Sequence, residues 1–305
     1  MTGDSVPVEM HGASQRRLAV IALVVGMVAA LVLTFPLPLR LASAVIEDGT
    51  SDAYQFTWNL WWVRESLVRL HRNPFFTPYL FYPDGVPLLF HTLCFSLGLV
   101  SVPLQLALPG GALGAYNALV IAAPALTVVV VALLAHEVTG DPWAALAGGV
   151  VTAVTGAAVW NLTTLYLGCT YLLALVLWAW WRLHRRRRIA DVIQVFVLVL
   201  ALLFASQEYA LMALALLAAD TAASLVVPRA LGLPPRWRAG LLVFWSITAA
   251  SFGAIAALAL SAPAVPPPRE LVLFGSAYGA GLVTPPWLVA PPGQDRKSTR
   301  LNSSH

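Results

Sequence analysis

Acidic residues are scarce in this sequence, yet Glu47, Asp48 and Asp52 crowd together in VIEDGTSDAYQF. A carboxylate within hydrogen-bond reach of an attacking hydroxyl can take its proton as a general base, which makes Asp52 and Asp48 the catalytic candidates. If the group being displaced is already a phosphate, no strong acid is needed, but its charge requires a cation or a cluster of donors. His91, Arg269 and Arg40 are candidates for that role, and Glu208, in SQEY, joins them as a fourth substrate-binding candidate. Each residue also has a plainer role open to it. Acids favour the first turn of a helix, where they meet the positive end of its dipole, and this suits Asp48 and Asp52 equally well. Glu208 fits a solvated turn, Arg269 a headgroup contact, and His91 an interfacial site with its polar tip wet.

Other chemistries find little support. Cys94 and Cys169 lack metal-type spacing and suit small packing positions. No glycine-rich phosphate loop occurs, and no basic and aromatic surface suits nucleic acid. No cofactor is indicated; a divalent metal is compatible with the acids but not called for by any spacing.

The elements that would position these residues belong in a bilayer. Hydrophobic residues make up 59% of the chain and charged ones only 10%, with mean hydropathy +0.78, far from a soluble domain. A spanning helix needs about 20 apolar residues. Runs near that length fall at 18–35, 113–136, 143–160, 164–181, 189–206, 210–227 and 239–262, with a shorter one at 93–109. The expected fold is therefore all-α, a polytopic transmembrane helical bundle of about seven spans.

Arginine placement sets the orientation, since short cytoplasmic loops collect basic residues. Arg16 and Arg17, the group Arg182 with Arg185 to Arg188, and Arg229 with Arg236 and Arg238 all fall inside if 93–109 is re-entrant or interfacial. Residues 1–17 are then cytoplasmic, and the loop 36–92 and everything from Pro263 are extracytoplasmic. Ala42-Ser43-Ala44 also resembles a signal cleavage site, which leaves removal of the first span as an alternative. Asp220, within the sixth run, is an intramembrane ionisable residue and a functional suspect, although it lies close enough to the cytoplasmic end to snorkel. Gly148 and Gly149 allow close helix packing where lipid offers no hydrophobic driving force.

A loop as long as 36–92 usually carries structure or function of its own. Phe56, Leu60, Val63, Leu67 and Leu70 recur at helical spacing, with Glu65, Arg69 and Arg72 opposite them and Trp58, Trp61 and Trp62 toward one end. The spacing predicts an amphipathic helix lying at the headgroup level and ended by Asn73-Pro74, followed by an aromatic, turn-rich return to the bilayer.

The order of apolar span, acids, WNLWW helix, NPFFT and LFYPDGVPLLFHT resembles bacterial members of the GT-C superfamily of membrane glycosyltransferases. These share a fold with the dolichyl-phosphate-mannose protein mannosyltransferases and the aminoarabinose transferases. The resemblance is sharpest over residues 34–92 and extends more loosely to FGSAYGAGLVTPP. It implies transfer of a sugar from a polyprenyl-phosphate carrier to an envelope glycan, lipid or protein acceptor outside a bacterial inner membrane, with a first-loop acid as base. Asp52 is the best match for that acid and Asp48 the second. A transporter or flippase, and a non-catalytic relative assembling an envelope complex, stand as alternatives.

Residues 295–305, DRKSTRLNSSH, break from the preceding composition and hold the sequence's single lysine, Lys297. They resemble a translated sequencing adapter, so residues 18–294 are taken as the GT-C-like module. The natural chain is expected to continue beyond Gln294.

Overall fold

The computed structural model describes residues 8–46, 52–80, 83–89, 91–226 and 235–260. Glu47, Asp48, Arg229, Arg269 and the tail 295–305 lie outside the described residues. The chain forms α1 (Val8–Thr34), α2 (Ala53–Arg64), α3 (Phe95–Ala107), α4 (Ala112–Thr139), α5 (Pro142–Val154), α6 (Gly156–Trp160), α7 (Leu165–Gly168), α8 (Thr170–Arg186), α9 (Ile189–Leu203), α10 (Gln207–Val226) and α11 (Pro235–Leu260). Between α2 and α3, a short antiparallel pair joins β1 (Phe76–Thr77) to β2 (Val86–Pro87).

Among the described residues, three helical stretches are long and apolar enough to cross a membrane: Gln15–Thr34, Ala112–Thr139 and Leu165–Arg186. The last of these is α7 and α8 run together through Cys169. The run at 143–160 does not stay one helix. Thr155 turns extended, with ψ 151°, and its Oγ1 accepts from the Ala158 amide at 3.3 Å to start α6 afresh. The 13 residues of α5 rise only about 20 Å, short of the roughly 30 Å of bilayer hydrocarbon, and the 13 of α3 do the same.

α4 is the central helix, packed against α1, α5 and α8. The α1 seam is legible in its residues. Leu18, Ala22, Gly26, Ala30 and Thr34 recur every fourth position and are buried, while Val20, Val24, Val28 and Val32 are exposed. A Cβ at Gly26 would come within 2.9 Å of the Ala125 carbonyl oxygen, so the two backbones touch there. Gly149 plays the same part between α5 and α4, 2.5 Å from the Val128 carbonyl oxygen by the same construction. Gly148 meets nothing within 4 Å, so only one of the expected glycine pair is a contact. A second core joins α8, α9, α10 and α11 around Val176, Val199, Leu202, Leu217 and Phe244.

α2 packs against α3 and α4. Phe56, Leu60 and Val63 are fully buried as their spacing predicts, and Leu67 and Leu70 partly so. Trp62 is fully buried as well, its Nε1 donating to the Pro74 carbonyl at 2.9 Å, and Trp58 and Trp61 are half-buried. Glu65, placed by the wheel on the polar side, is buried and ion-paired with Arg69. A π-helical turn, Glu65–Arg69, and a left-handed His71 (φ 50°) end the helix ahead of Asn73-Pro74. Asn73 instead opens the hairpin, its Oδ1 accepting from the Phe75 amide at 2.9 Å. Gly85 (φ +73°) turns the hairpin back where a Cβ would strike Phe76.

Candidate functional site

Asp52 stands at the residue before α2, exposed, with its carbonyl accepting from the Phe56 amide at 3.0 Å. Its carboxylate caps no amide, so the plain helix-start role does not occupy it. One turn along, Phe56 packs on Tyr166 of α7 with ring centroids 5.8 Å apart.

A small, half-open cavity lies beside this tyrosine. Its walls include His91, Thr92 and Cys94 from the end of the first loop, Tyr166 from α7, and Ser206, Gln207 and Glu208 from the start of α10. Three cross-links hold these segments together. Gln55 Nε2 donates to Thr92 Oγ1 at 3.0 Å, with His91 Nε2 at 3.5 Å. Gln207 Nε2 donates to the Leu89 carbonyl at 3.1 Å, and Tyr209 donates its hydroxyl to the Leu167 carbonyl at 2.8 Å. The α9–α10 turn is tied in by Ser96, whose Oγ donates to the Ala201 carbonyl at 2.7 Å.

Burial holds the His91 imidazole below its ordinary pKa of 6.5, so the ring is neutral and offers one donor and one acceptor. Burial also pushes the Cys94 thiol well above its usual range, and Cys169 and Glu208 add to the effect. Both cysteines are free and buried in one core, the packing role their surroundings implied. Among the described residues, no three His, Cys, Asp or Glu side chains converge in a way that could hold a metal.

Of the candidates read from sequence, His91 and Glu208 line the cavity; Asp52 is not part of its wall and stands one turn before Phe56, which packs on the wall residue Tyr166. Arg40 is exposed after a 3₁₀ turn, Leu37–Leu39, and is not part of the cavity wall. Asp48 and Arg269 lie outside the described residues. Tyr166, Gln55, Thr92 and Gln207 escaped sequence reasoning. Tyr166 sits in LYLGCTYLL, where nothing separates a site tyrosine from a packing one.

Different partners meet at the far end of the long helices. Gln15 Nε2 donates to Glu137 Oε1 at 3.4 Å, and Arg185 reaches the Glu137 carbonyl at 3.2 Å, which brings α1, α4 and α8 together beside the arginine group. Asp220 is nearby in sequence terms to none of these but is also held by α8. Trp180 Nε1 donates to its Oδ2 at 2.8 Å, and His184 Nε2 lies 3.1 Å away. The Asp220 side chain is 48% exposed, which fits snorkelling.

No family model matches this chain, and no curated protein and no solved structure matches it either.

Proposed function

We propose that the chain is a multi-pass membrane glycosyltransferase of GT-C type, moving a sugar from a polyprenyl-phosphate donor to an acceptor outside a bacterial inner membrane. The observation that carries this reading is a cavity walled by His91, Tyr166 and Glu208, with Asp52 starting the helix whose Phe56 ring packs on Tyr166. The acceptor hydroxyl oxygen bonds to the anomeric carbon as the bond from that carbon to the phosphate oxygen breaks. The electron pair leaves with the phosphate, and the hydroxyl proton passes to a carboxylate. Asp52 is the first choice for that base, with Asp48 second among the first-loop acids; Glu208, on the cavity wall, orients sugar hydroxyls in this reading. Neutral His91 and the Tyr166 hydroxyl are donors for the departing phosphate.

Seven crossings with the N-terminus inside and loop 36–92 outside fit this reading. The three long helices supply part of the count, and α5 with α6, α9, α10 and α11 supply the rest. Contacts of Gln15, Glu137 and Arg185 at one end, and the cavity walled by His91, Tyr166 and Glu208 at the other, support opposite faces for the arginines and the cavity.

The test is sugar transfer from a radiolabelled polyprenyl-phosphate donor in proteoliposomes. Asp52→Asn is expected to abolish transfer while membrane insertion and unfolding temperature stay unchanged, and Glu208→Gln to raise KM more than it lowers kcat. Undiminished turnover by Asp52→Asn would remove that residue from the mechanism.

A further inference from the structure

We infer that the arginine-rich turn between α8 and α9 is a binding site for the phosphate of an anionic phospholipid. Arg182, Arg185, Arg186, Arg187 and Arg188 fall close together there. The stretch Leu165–Arg186 is long and apolar enough to cross a membrane, so its last turn lies at the level of the lipid phosphates. Trp181 and Ile189, both exposed, put apolar surface beside the arginines, which suits a phosphate that arrives with acyl chains attached. Carboxylates do not neutralise the cluster. Glu137 Oε1 accepts from Gln15, buried Asp191 accepts from the Arg188 amide at 3.3 Å, and Asp220 Oδ2 accepts from Trp180 and lies beside His184. Asp141, just beyond Glu137, caps the amides of Trp143 and Ala144. Among the described residues, none of these four acids is ion-paired with an arginine. Arg16 and Arg17, exposed next to Gln15, bring two further cations to the same end.

Three of the guanidiniums are held in place before a lipid arrives. Arg182 Cζ lies 5.1 Å from the centroid of the Trp178 ring, one helical turn back. Arg185 Nη1 donates to the Glu137 carbonyl at 3.2 Å. Arg187 takes a left-handed backbone, φ 55°, where glycine is favoured, and its Nε donates to the His184 carbonyl at 3.3 Å. That bond closes the end of α8 and leaves both terminal nitrogens of Arg187 without a partner among the described residues. Arginines that only set orientation need no such fixing, because that effect depends on their number and side alone. Guanidinium forks match phosphate oxygens in pairs, and holding them beforehand lowers the ordering cost of binding. Basic clusters at the end of a spanning helix attract anionic headgroups for this reason. Asp191 already occupies the positive end of α9, so the site rests on side chains and not on the helix dipole.

The site needs α7 and α8 to cross the bilayer and needs nothing of the proposed transfer chemistry. The experiment places the full chain in phosphatidylcholine vesicles with trace spin-labelled cardiolipin, phosphatidylglycerol or phosphatidylcholine, and reads the immobilised fraction of each by electron spin resonance. At least one of the two anionic lipids is expected to associate about tenfold more strongly than phosphatidylcholine. Arg187→Gly and Arg186→Gln are each expected to lower that preference by about fivefold, the worth of one arginine near the membrane surface. Glycine suits φ 55°, so Arg187→Gly removes the guanidinium while keeping the turn. Arg72→Gln, which removes the same charge from an exposed arginine of the first loop, should leave the preference intact, as should Asp52→Asn. Equal association of all three lipids overturns the site, and so does an Arg72→Gln effect as large as that of Arg187→Gly. Inorganic pyrophosphate displacing the labelled lipid as effectively as unlabelled cardiolipin would also overturn it, by assigning the arginines to a soluble phosphate. A lipid preference kept by an Asp52→Asn protein that has lost transfer would separate the two sites.

Discussion

Asn59 of α2 donates through Nδ2 to the carbonyl of Thr92 at 2.7 Å, fastening the helix that begins at Asp52 to the segment that carries His91. Asn59 is fully buried, and its hydrogen bond, with those of Gln55 to Thr92 and His91, sets the spacing between the proposed base and a wall of the cavity. Asn59→Leu removes the amide donor and leaves the Thr92 carbonyl only the weak Cys94 thiol, a loss of about 1 kcal/mol. A lowered unfolding temperature in detergent, with sugar transfer falling further than stability alone explains, is the expected result; unchanged values for both would show that the tie is idle.

His91 makes stability depend on acid. Its folded pKa lies below the ordinary 6.5 because burial disfavours the charged ring. Between those two values the unfolded chain binds more protons than the folded one, so stability rises with pH through that window and is lost as pH falls below about 6.5. His91→Gln should flatten this slope. Unfolding temperatures measured from pH 7.5 down to 5 would check it, and equal slopes for the two proteins would contradict it.

The α1–α4 seam is set by a missing side chain. Gly26→Leu drives a side chain into the Ala125 backbone, and no rotamer can escape an obstacle 2.9 Å from Cβ itself. Overpacking of this kind costs about 1–3 kcal/mol. The same change at Gly148, which faces open space, should be neutral. Folded yield after detergent extraction distinguishes the two.

Asp220 serves here as a control. Half-exposed and bonded to Trp180, it is expected to contribute no more than about 1 kcal/mol, and Asp220→Asn should retain full transfer. A variant that inserts normally yet loses transfer would return Asp220 to the list of functional groups.

Much of the bundle could be read from the sequence because period and composition suffice for helices in lipid. The spacing of Phe56, Leu60 and Val63 marked the buried side of α2, and the apolar run 18–35 marked the membrane-length part of α1, though not its buried seam. Three things were not legible. Thr155 splits a continuous apolar run, because a threonine can leave the helix and cap the next one without any change in hydropathy. Glu65 looked solvent-facing, but its Arg69 partner allowed burial. Trp62 read as an interfacial anchor, whereas a carbonyl at Pro74 satisfies its N–H inside the protein. Of the site, the acids and His91 stood out by scarcity, while Tyr166 is recruited by tertiary packing alone.

The stripe of small residues along α1 bears on how the chain is made. Its partner, α4, lies beyond the whole of loop 36–92 and α3, so α1 leaves the ribosome and must wait while that length is synthesised. A helix matched to a distant partner through polar groups would spend the interval with those groups stranded in hydrocarbon, at several kcal/mol each. Ala22, Gly26 and Ala30 expose nothing that lipid cannot cover, and Thr34 turns its hydroxyl back to the Ala30 carbonyl at 2.7 Å. The seam is therefore one that acyl chains can fill until α4 displaces them, which makes late pairing harmless to an early helix.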